Sequence, residues 1–347
     1  MGVKLEDVAR RAGVSKATVS LALNGSDRIN AQTRARIERL AMEMGYRPNP
    51  YARKLAMRKS RQIGLILPDI ENGYYASLAK HIFNDLMASG YGLSISLSMN
   101  SRLTERRAVS EMIENRVDGL LLAPLNVPNA DAGYLEMLDD AGIPTVLVTS
   151  SYPGLNRPTV MCDLYGGMRM MLEELYRRGY RKMALLTGPE GAYCLDLRKA
   201  AYLDFLRERD LEYQKIRHMD GVGYDDAVSG TGALMDAEAI LCVNDMMALG
   251  VVNELRRCGR SVPDDVAVTG FDDSAFATVS PVPIASVRQD LRRMAAEAVE
   301  RILNLAQDAH KDDSAGGMIP CELVLRASVG ENKRLCGAKQ EEKKCCN

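Results

Sequence analysis

The side chains of Lys16, Ala17, Ser20 and Leu21 have types and spacing suited to reading another molecule. Set on a helix they share one face, short and small, with its positive charge at the N-terminal end. Such a face has the right size to lie in the major groove of DNA. Catalytic chemistry has no comparable foothold. The three histidines, His81, His218 and His310, are far apart and lack metal-ligand spacing. No Gly-x-Ser-x-Gly, phosphate-binding Walker loop or dinucleotide glycine fingerprint is present. Asp272-Asp273 is an acidic pair without a third ligand in any metal pattern, so neither a metal nor a cofactor is expected.

The elements that must hold that face are legible around it. Leu5, Val8, Ala9 and Ala12 fall at helical spacing, and Gly13 supplies the backbone freedom for a tight turn. Ser15 is placed to cap the next helix, in which Val19, Ala22 and Leu23 turn inward. Asn24-Gly25 ends it, and Asn30 can cap a third helix that buries Ile37, Leu40, Ala41 and Met44 and stops at Gly45. Pro48 cannot continue a helix, whereas Asn49 can cap a new one with Pro50 in its first turn. A helical hairpin without function has the same apolar pattern, and charge separates the two readings. Residues 1–60 hold thirteen Lys and Arg against five Asp and Glu, a net of +8, leaving −9 for the rest of a chain whose total is −1. A basic head on an acidic body assigns polyanion binding to the N-terminus.

At 347 residues the chain predicts more than one domain. From Ile63 onward, apolar runs alternate with helical patterns. Strands are expected at Ile63–Pro68, Leu93–Leu97, Gly119–Pro124 and Thr145–Val148, with helices at Tyr75–Ser89, 103–115 and 131–141. After a loop at 153–158 the rhythm restarts, with helices Gly167–Arg178, Arg198–Arg209 and Met246–Arg257 and strands Met183–Thr187, Ile240–Val243 and Val266–Thr269. Two such rounds predict two doubly wound parallel lobes, whose ligands bind beyond the carboxyl ends of the strands. Asn72, Thr149-Ser150, Asn244-Asp245 and Asp272-Asp273 stand at those ends, although Asn244 or Asp245 can equally cap the following helix. No apolar run approaches membrane-spanning length, and Met1–Glu6 offers no export signal. Eight cysteines without a Cys-x-x-Cys pair suit a reducing cytoplasm.

The chain resembles the lactose-repressor/galactose-repressor family of bacterial transcription regulators. The residues that carry the resemblance are Asp7-Val8-Ala9, Ala12-Gly13-Val14-Ser15, Thr18-Val19-Ser20, Asn24-Gly25, Thr33-Arg34, Gly45-Tyr46, Pro48-Asn49 and Ala52-Arg53 with Leu55. Val117-Asp118-Gly119, Gly188-Pro189, Asn244-Asp245, Val262–Val266, Gly270–Asp273 and Glu322–Ser328 extend it to about residue 330. It implies an α/β chain: an all-α helix-turn-helix head at 1–48, a hinge helix and linker at 49–60, and a two-lobed periplasmic-binding-protein-like core at 61–330. The N-lobe would take 61–159 and 291–319, and the C-lobe 160–290 and 320–330. The tail at 331–347 lacks the heptads of a tetramerising coiled coil and is expected to be disordered.

The resemblance further implies a cytoplasmic homodimer, most simply a repressor, that binds a palindromic operator, one head per half-site. Lys16, Ala17 and Leu21 would read bases, Lys16 at guanine O6 or N7 and the others through apolar contact. Ser15, Thr18, Ser20, Asn24 and Thr33 would touch phosphates, which position without specifying. In the hinge, Asn49, Ala52 and Arg53 accompany Leu55, the wedge expected to unstack a base step in the minor groove. For a sugar-like effector the implied contacts are Tyr74, Tyr75, Thr149, Cys194, Arg198, Tyr224, Asn244, Asp272 and Gln289. Arg198 with Asp272 suits vicinal hydroxyls, while Tyr75 and Tyr224 suit a sugar face or flat ring. Arg198 can instead serve as a structural partner of Asp196 or Asp272. Thr149 and Gly73 depart from relatives with an acid and a proline there, so the particular sugar is not implied, nor whether it induces or co-represses. A transport protein with the same core would need an export signal and no basic head, the opposite of what this chain shows.

Overall fold

A computed structural model describes residues 3–23, 26, 28–46, 60–125, 127, 132–152, 154–307 and 318–332. The chain divides into two compact units, Met1–Ser60 and Arg61–Asn347. The hinge candidates Asn49, Ala52, Arg53 and Leu55, together with Asn24 and the tail beyond Asn332, lie outside the described residues.

In the first unit, helices α1 (Leu5–Ala12), α2 (Lys16–Leu23) and α3 (Ala31–Glu43) share one small core of Val8, Ala9, Ala12, Val19, Ala22, Ile37 and Ala41. Its caps are those that the residue types favour. Gly13 closes α1 at φ +66°, a conformation in which a β-carbon would be strained. Ser15 Oγ accepts the Thr18 N–H at 3.1 Å, and Asn30 Oδ1 accepts the Thr33 N–H at 2.8 Å. Past α3, Gly45 adopts φ +67° and the Tyr46 N–H returns to the Ala41 carbonyl at 2.9 Å.

The second unit is built on two parallel sheets. The first has strands β1 (Gln62–Leu67), β2 (Gly92–Leu97), β3 (Gly119–Leu122), β4 (Thr145–Val148) and β5 (Thr159–Val160), in the order β2-β1-β3-β4-β5. Alternate residues of β1 face opposite layers. Ile63, Leu65 and Leu67 pack on the helices Gly73–Ala88 and Leu291–Gln307, while Ile66 joins Val109, Met112 and Leu138 on the other side. The second sheet orders β6 (Met183–Thr187), β7 (Lys215–His218), β8 (Ala239–Cys242) and β9 (Ala267–Thr269) as β7-β6-β8-β9. Helices Leu164–Arg177, Tyr193–Glu208, Tyr224–Thr231 and Asp245–Arg257 flank it.

Between the sheets the chain passes near 160–164, 288–291 and 319–322. The first and third passages run side by side, Cys162 bridging Ile319. The second meets the third through the antiparallel pair β10 (Ser286–Arg288) and β11 (Glu322–Val324).

Three helices begin two or more residues earlier than their apolar periodicity indicates. The helix expected from Tyr75 starts at Gly73, because Asn72 Oδ1 caps the Tyr74 N–H at 3.0 Å. That expected from Gly167 starts at Leu164, where Asp163 Oδ1 caps the Gly166 N–H at 2.8 Å. The third starts at Tyr193 rather than Arg198. This last difference matters most: it puts Cys194 and Arg198 on one helix, one turn apart and on the same buried face.

Candidate functional site

The carboxyl ends of both sheets converge on a cavity beneath the three passages. It is lined by Tyr74, Tyr75 and Thr149 from the first lobe, by Cys194, Arg198, Asn244 and Asp272 from the second, and by Gln289 from the second passage. Eight of the nine candidate effector residues thus meet in one place, 215 positions apart at the extremes. Tyr224 is the exception. It opens its helix behind Gly223, is over a third exposed, and its hydroxyl accepts Asn253 Nδ2 at 3.0 Å. Val222 lines the cavity instead, with Leu195 and Val243, none of which the sequence reading singled out, and with Asn72, which it placed at a strand end.

The polar groups form a relay across the cleft. Tyr74 Oη donates to Gln289 Oε1 at 3.2 Å, and Gln289 Nε2 donates to Asp272 Oδ1 at 2.8 Å. Arg198 Nη2 lies 3.7 Å from the same oxygen, and its guanidinium stacks over the Phe271 ring at 4.1 Å. Asp272 is therefore the acid that Arg198 meets. Asp196 turns instead to Lys199 at 3.6 Å. Burial pushes Asp272 up to about 6, against the pull of Arg198 and the Gln289 hydrogen bond. It also pushes the Tyr74 phenol well above its ordinary range. Arg198 Nε is buried without a hydrogen-bond partner. Asn244 does cap its helix, accepting the Met247 N–H at 2.7 Å while its amide donates to Val222 O at 2.9 Å.

Backbone strain gathers at the same wall. Thr149 sits at φ +69° and Asp272 at +100°, both unfavourable for a residue with a β-carbon. Asp273 follows at +54°, and its carboxylate turns away to Arg288 at 2.7 Å and Arg326 at 2.6 Å. The acidic pair is thus split between separate cations. Among the described residues no group of three His, Cys, Asp or Glu side chains could hold a metal ion. The cavity measures about 40 Å³, space for a few waters. A ring-sized ligand would have to part the lobes.

In the head, Ser15, Lys16 and Ala17 are exposed, while Thr18, Ser20, Leu21 and Thr33 are half-buried. Lys16 Nζ pairs with Glu6, whose carboxyl that contact holds below its usual range. The Ser15 hydroxyl is engaged as the α2 cap, 2.9 Å from Thr18 Oγ1.

A family model for bacterial regulatory proteins of the lacI family matches residues 4–49, and one for the periplasmic binding protein-like domain matches 172–329. The transcriptional regulator CelR of Thermobifida fusca is 32% identical over 314 residues, spanning 86% of this chain and 91% of that one. A solved structure of the lac repressor dimer bound to operator and the anti-inducer ONPF superposes with a TM-score of 0.83 at 25% identity, covering 95% of this chain and 100% of that one. A CelR–cellobiose complex superposes at 0.70 and 28% identity, covering 94% and 100%. No helix among the described residues is long and apolar enough to cross a membrane.

Proposed function

Because the chain belongs to the LacI family of bacterial regulatory proteins, we propose that it works as a cytoplasmic homodimeric repressor of a two-fold symmetric operator, controlled by a sugar-like effector in the cavity beneath the passages. As a family member it is a DNA-binding transcription regulator rather than an enzyme. The observation that carries the effector reading is Arg198: buried, stacked on Phe271, facing Asp272, and with an Nε that no protein group satisfies. A buried cation beside a carboxylate, with donors to spare, is matched by vicinal hydroxyls, which both accept and donate. Tyr74 and Tyr75, edge to face at 5.2 Å, supply an aromatic wall.

In the head, Lys16, Ala17 and Leu21 are assigned to base edges and Ser15, Thr18, Ser20, Asn24 and Thr33 to phosphates. Asn49, Ala52, Arg53 and Leu55 are assigned to the hinge contact. The second copy is assigned to the apolar surface of Phe83, Met87, Ile95, Met99 and Leu103, each more than 45% exposed. The dimer of the similar lac repressor supports that choice of occupant.

Selection from a random duplex pool with the purified full-length chain tests the reading. The expected outcome is an enriched site with two-fold symmetry, whose affinity falls steeply with salt. A monosaccharide and disaccharide panel in a thermal-shift assay, followed by operator titration, then finds the effector and its sign. Failure to enrich any symmetric site, with or without sugars, refutes the proposal.

A further inference from the structure

Cys162 and Cys321 lie on two of the three passages between the lobes, near enough for each thiol to set the acidity of the other. The backbone fixes this neighbourhood. Cys162 forms a parallel bridge with Ile319, whose carbonyl accepts the Asp163 N–H at 2.8 Å and whose N–H reaches Met161 O at 3.0 Å. Cys321 Sγ stands 3.4 Å from the Asp163 carbonyl, next along the chain from Cys162. The two thiols differ in access. Cys162 is fully buried, whereas Cys321 is half-buried and lines a groove of about 660 Å³ with Ser77, His81 and Arg292. They differ in acidity too. The hydrogen bond from Cys162 holds the Cys321 thiol below its usual range, and the Arg198 charge adds to this, while the same contact and burial push Cys162 up. An accessible thiol of lowered pKa beside a buried partner thiol is the arrangement in which the first is oxidised and the second resolves it.

We propose that Cys162 and Cys321 form a dithiol site for oxidation by hydroperoxides, ending in a disulfide that ties the first passage to the third. The Cys321 thiolate attacks one oxygen of hydrogen peroxide. The O–O bond breaks, leaving Cys321 as a sulfenic acid, and the departing hydroxide takes up the thiol proton as water. Cys162 sulfur then attacks Cys321 sulfur. The S–O bond breaks, and the hydroxyl leaves with the Cys162 proton as a second water. Peroxide is reduced to water and the thiols are oxidised by two electrons, with no further reactant. A bond at this position restrains the pivot about which the lobes move, a consequence that rests on the effector reading, whereas the oxidation does not.

The test treats the full-length protein with hydrogen peroxide, quenches, alkylates free thiols under denaturing conditions and maps the digest by mass spectrometry. The expected first product is a joined pair of peptides carrying Cys162 and Cys321, separated again by dithiothreitol. Exposed Cys258 serves as the internal comparison and remains alkylated at that dose. Cys321 passing to sulfinic acid without a joined peptide, or another cysteine pair joining first, overturns the proposal. In the Cys162→Ala variant, Cys321 should accumulate as a sulfenic acid captured by dimedone. In Cys321→Ser, Cys162 should stay reduced. Absence of a dimedone adduct at Cys321 in the first variant, or oxidation of Cys162 in the second, contradicts the assigned roles. Amide exchange at 160–164 and 319–322 should slow on oxidation, and a disulfide that leaves it unchanged removes the restraint.

Discussion

Replacing Arg198 with methionine takes a cation from a pocket that still holds a carboxylate. The guanidinium is 3.7 Å from Asp272 Oδ1, and the two side chains are 8% and 7% exposed. Breaking one partner out of a buried pair usually costs about 3–5 kcal/mol, because the other charge is stranded. Here the stranded group has an escape, since it can take up a proton. Asp272 already titrates at about 6 rather than 3.8, because of its burial. That rise corresponds to about 3 kcal/mol at 1.36 kcal/mol per tenfold change in proton affinity. The folded state holds this proton more tightly than the unfolded chain does. The contribution is therefore fully present below about pH 3.8 and is lost as pH rises through about 6. Without Arg198 the folded value moves higher still.

The stability deficit of the variant should accordingly depend on pH. At pH 5 Asp272 is largely neutral in both proteins, so the loss reduces mainly to the stacking on Phe271, about 1 kcal/mol. At pH 8 the parent has an ion pair and the variant a buried lone carboxyl, so the deficit should approach about 3 kcal/mol or more. Asp272→Asn added to Arg198→Met should recover most of the difference at pH 8 and little at pH 5. The chain has no tryptophan, so urea unfolding of the core is best followed by far-ultraviolet circular dichroism. An equal deficit at pH 5 and pH 8, or no recovery in the double variant, refutes the account.

Four further predictions use other residues. Asp245 is pushed up to about 8 by its burial and by the Asp272 charge, while it accepts from Ser274 N and Ser286 Oγ at 2.6 Å each. Parent stability should therefore decline as pH rises from about 4 through 8, and Asp245→Asn should flatten that decline in the same unfolding series. A β-carbon on Gly250 would stand 2.7 Å from the Tyr224 carbonyl and 3.0 Å from Ala227 Cβ. Gly250→Ala should thus lower stability by about 1–3 kcal/mol, read as a lower urea midpoint. In the DNA-binding parts, Leu55→Ala should weaken operator binding strongly at an unchanged thermal midpoint, as measured by anisotropy. Lys16→Ala should weaken binding by about 1–3 kcal/mol and relax discrimination at one base pair of each half-site.

How far the sequence could be read depended on whether a signal was local. β1, β3, β4, β6 and β8 are apolar runs buried on both faces, and each was legible as such. β7 was not, because Lys215–His218 contains one apolar residue, Ile216. It is a strand through its pairing with β6 and because Tyr202 Oη accepts the Lys215 N–H at 3.1 Å. β10 and β11, three residues each, are likewise set by their partners. Helix starts were missed where Asn72 and Asp163 cap from outside the apolar stripe. In the cavity, Arg198 had two candidate partners within the chain. Helical geometry alone disfavours Asp196, two residues away and on another face, but only the folded second sheet brings Asp272 within reach. Tyr224 looked like a stacking residue by type, and its direction is set by the Gly223 turn and Asn253.

The strained residues join the cavity wall to the passages between the sheets. A β-branched residue at φ +69° and an aspartate at +100° each cost about 1–3 kcal/mol, so both persist only because neighbours hold them. Thr149 is held by its N–H to the Val160 carbonyl at 2.9 Å, and Asp272 by its N–H to the Val287 carbonyl at 2.8 Å. Val160 leads into the first passage and Val287 into the second. The two sides of the cavity are thus each anchored, through their own backbone N–H groups, to the passages between the sheets. Gln289, which joins Tyr74 to Asp272, lies in the second passage itself. A ligand that drew Asp272 or Thr149 by a fraction of an ångström would load those anchors unequally in the two lobe arrangements. Coupling energies of about 1–3 kcal/mol, the usual range for such control, are within what one or two strained residues can release. On the proposed reading, the sign of control would follow from which arrangement of the lobes the ligand relieves.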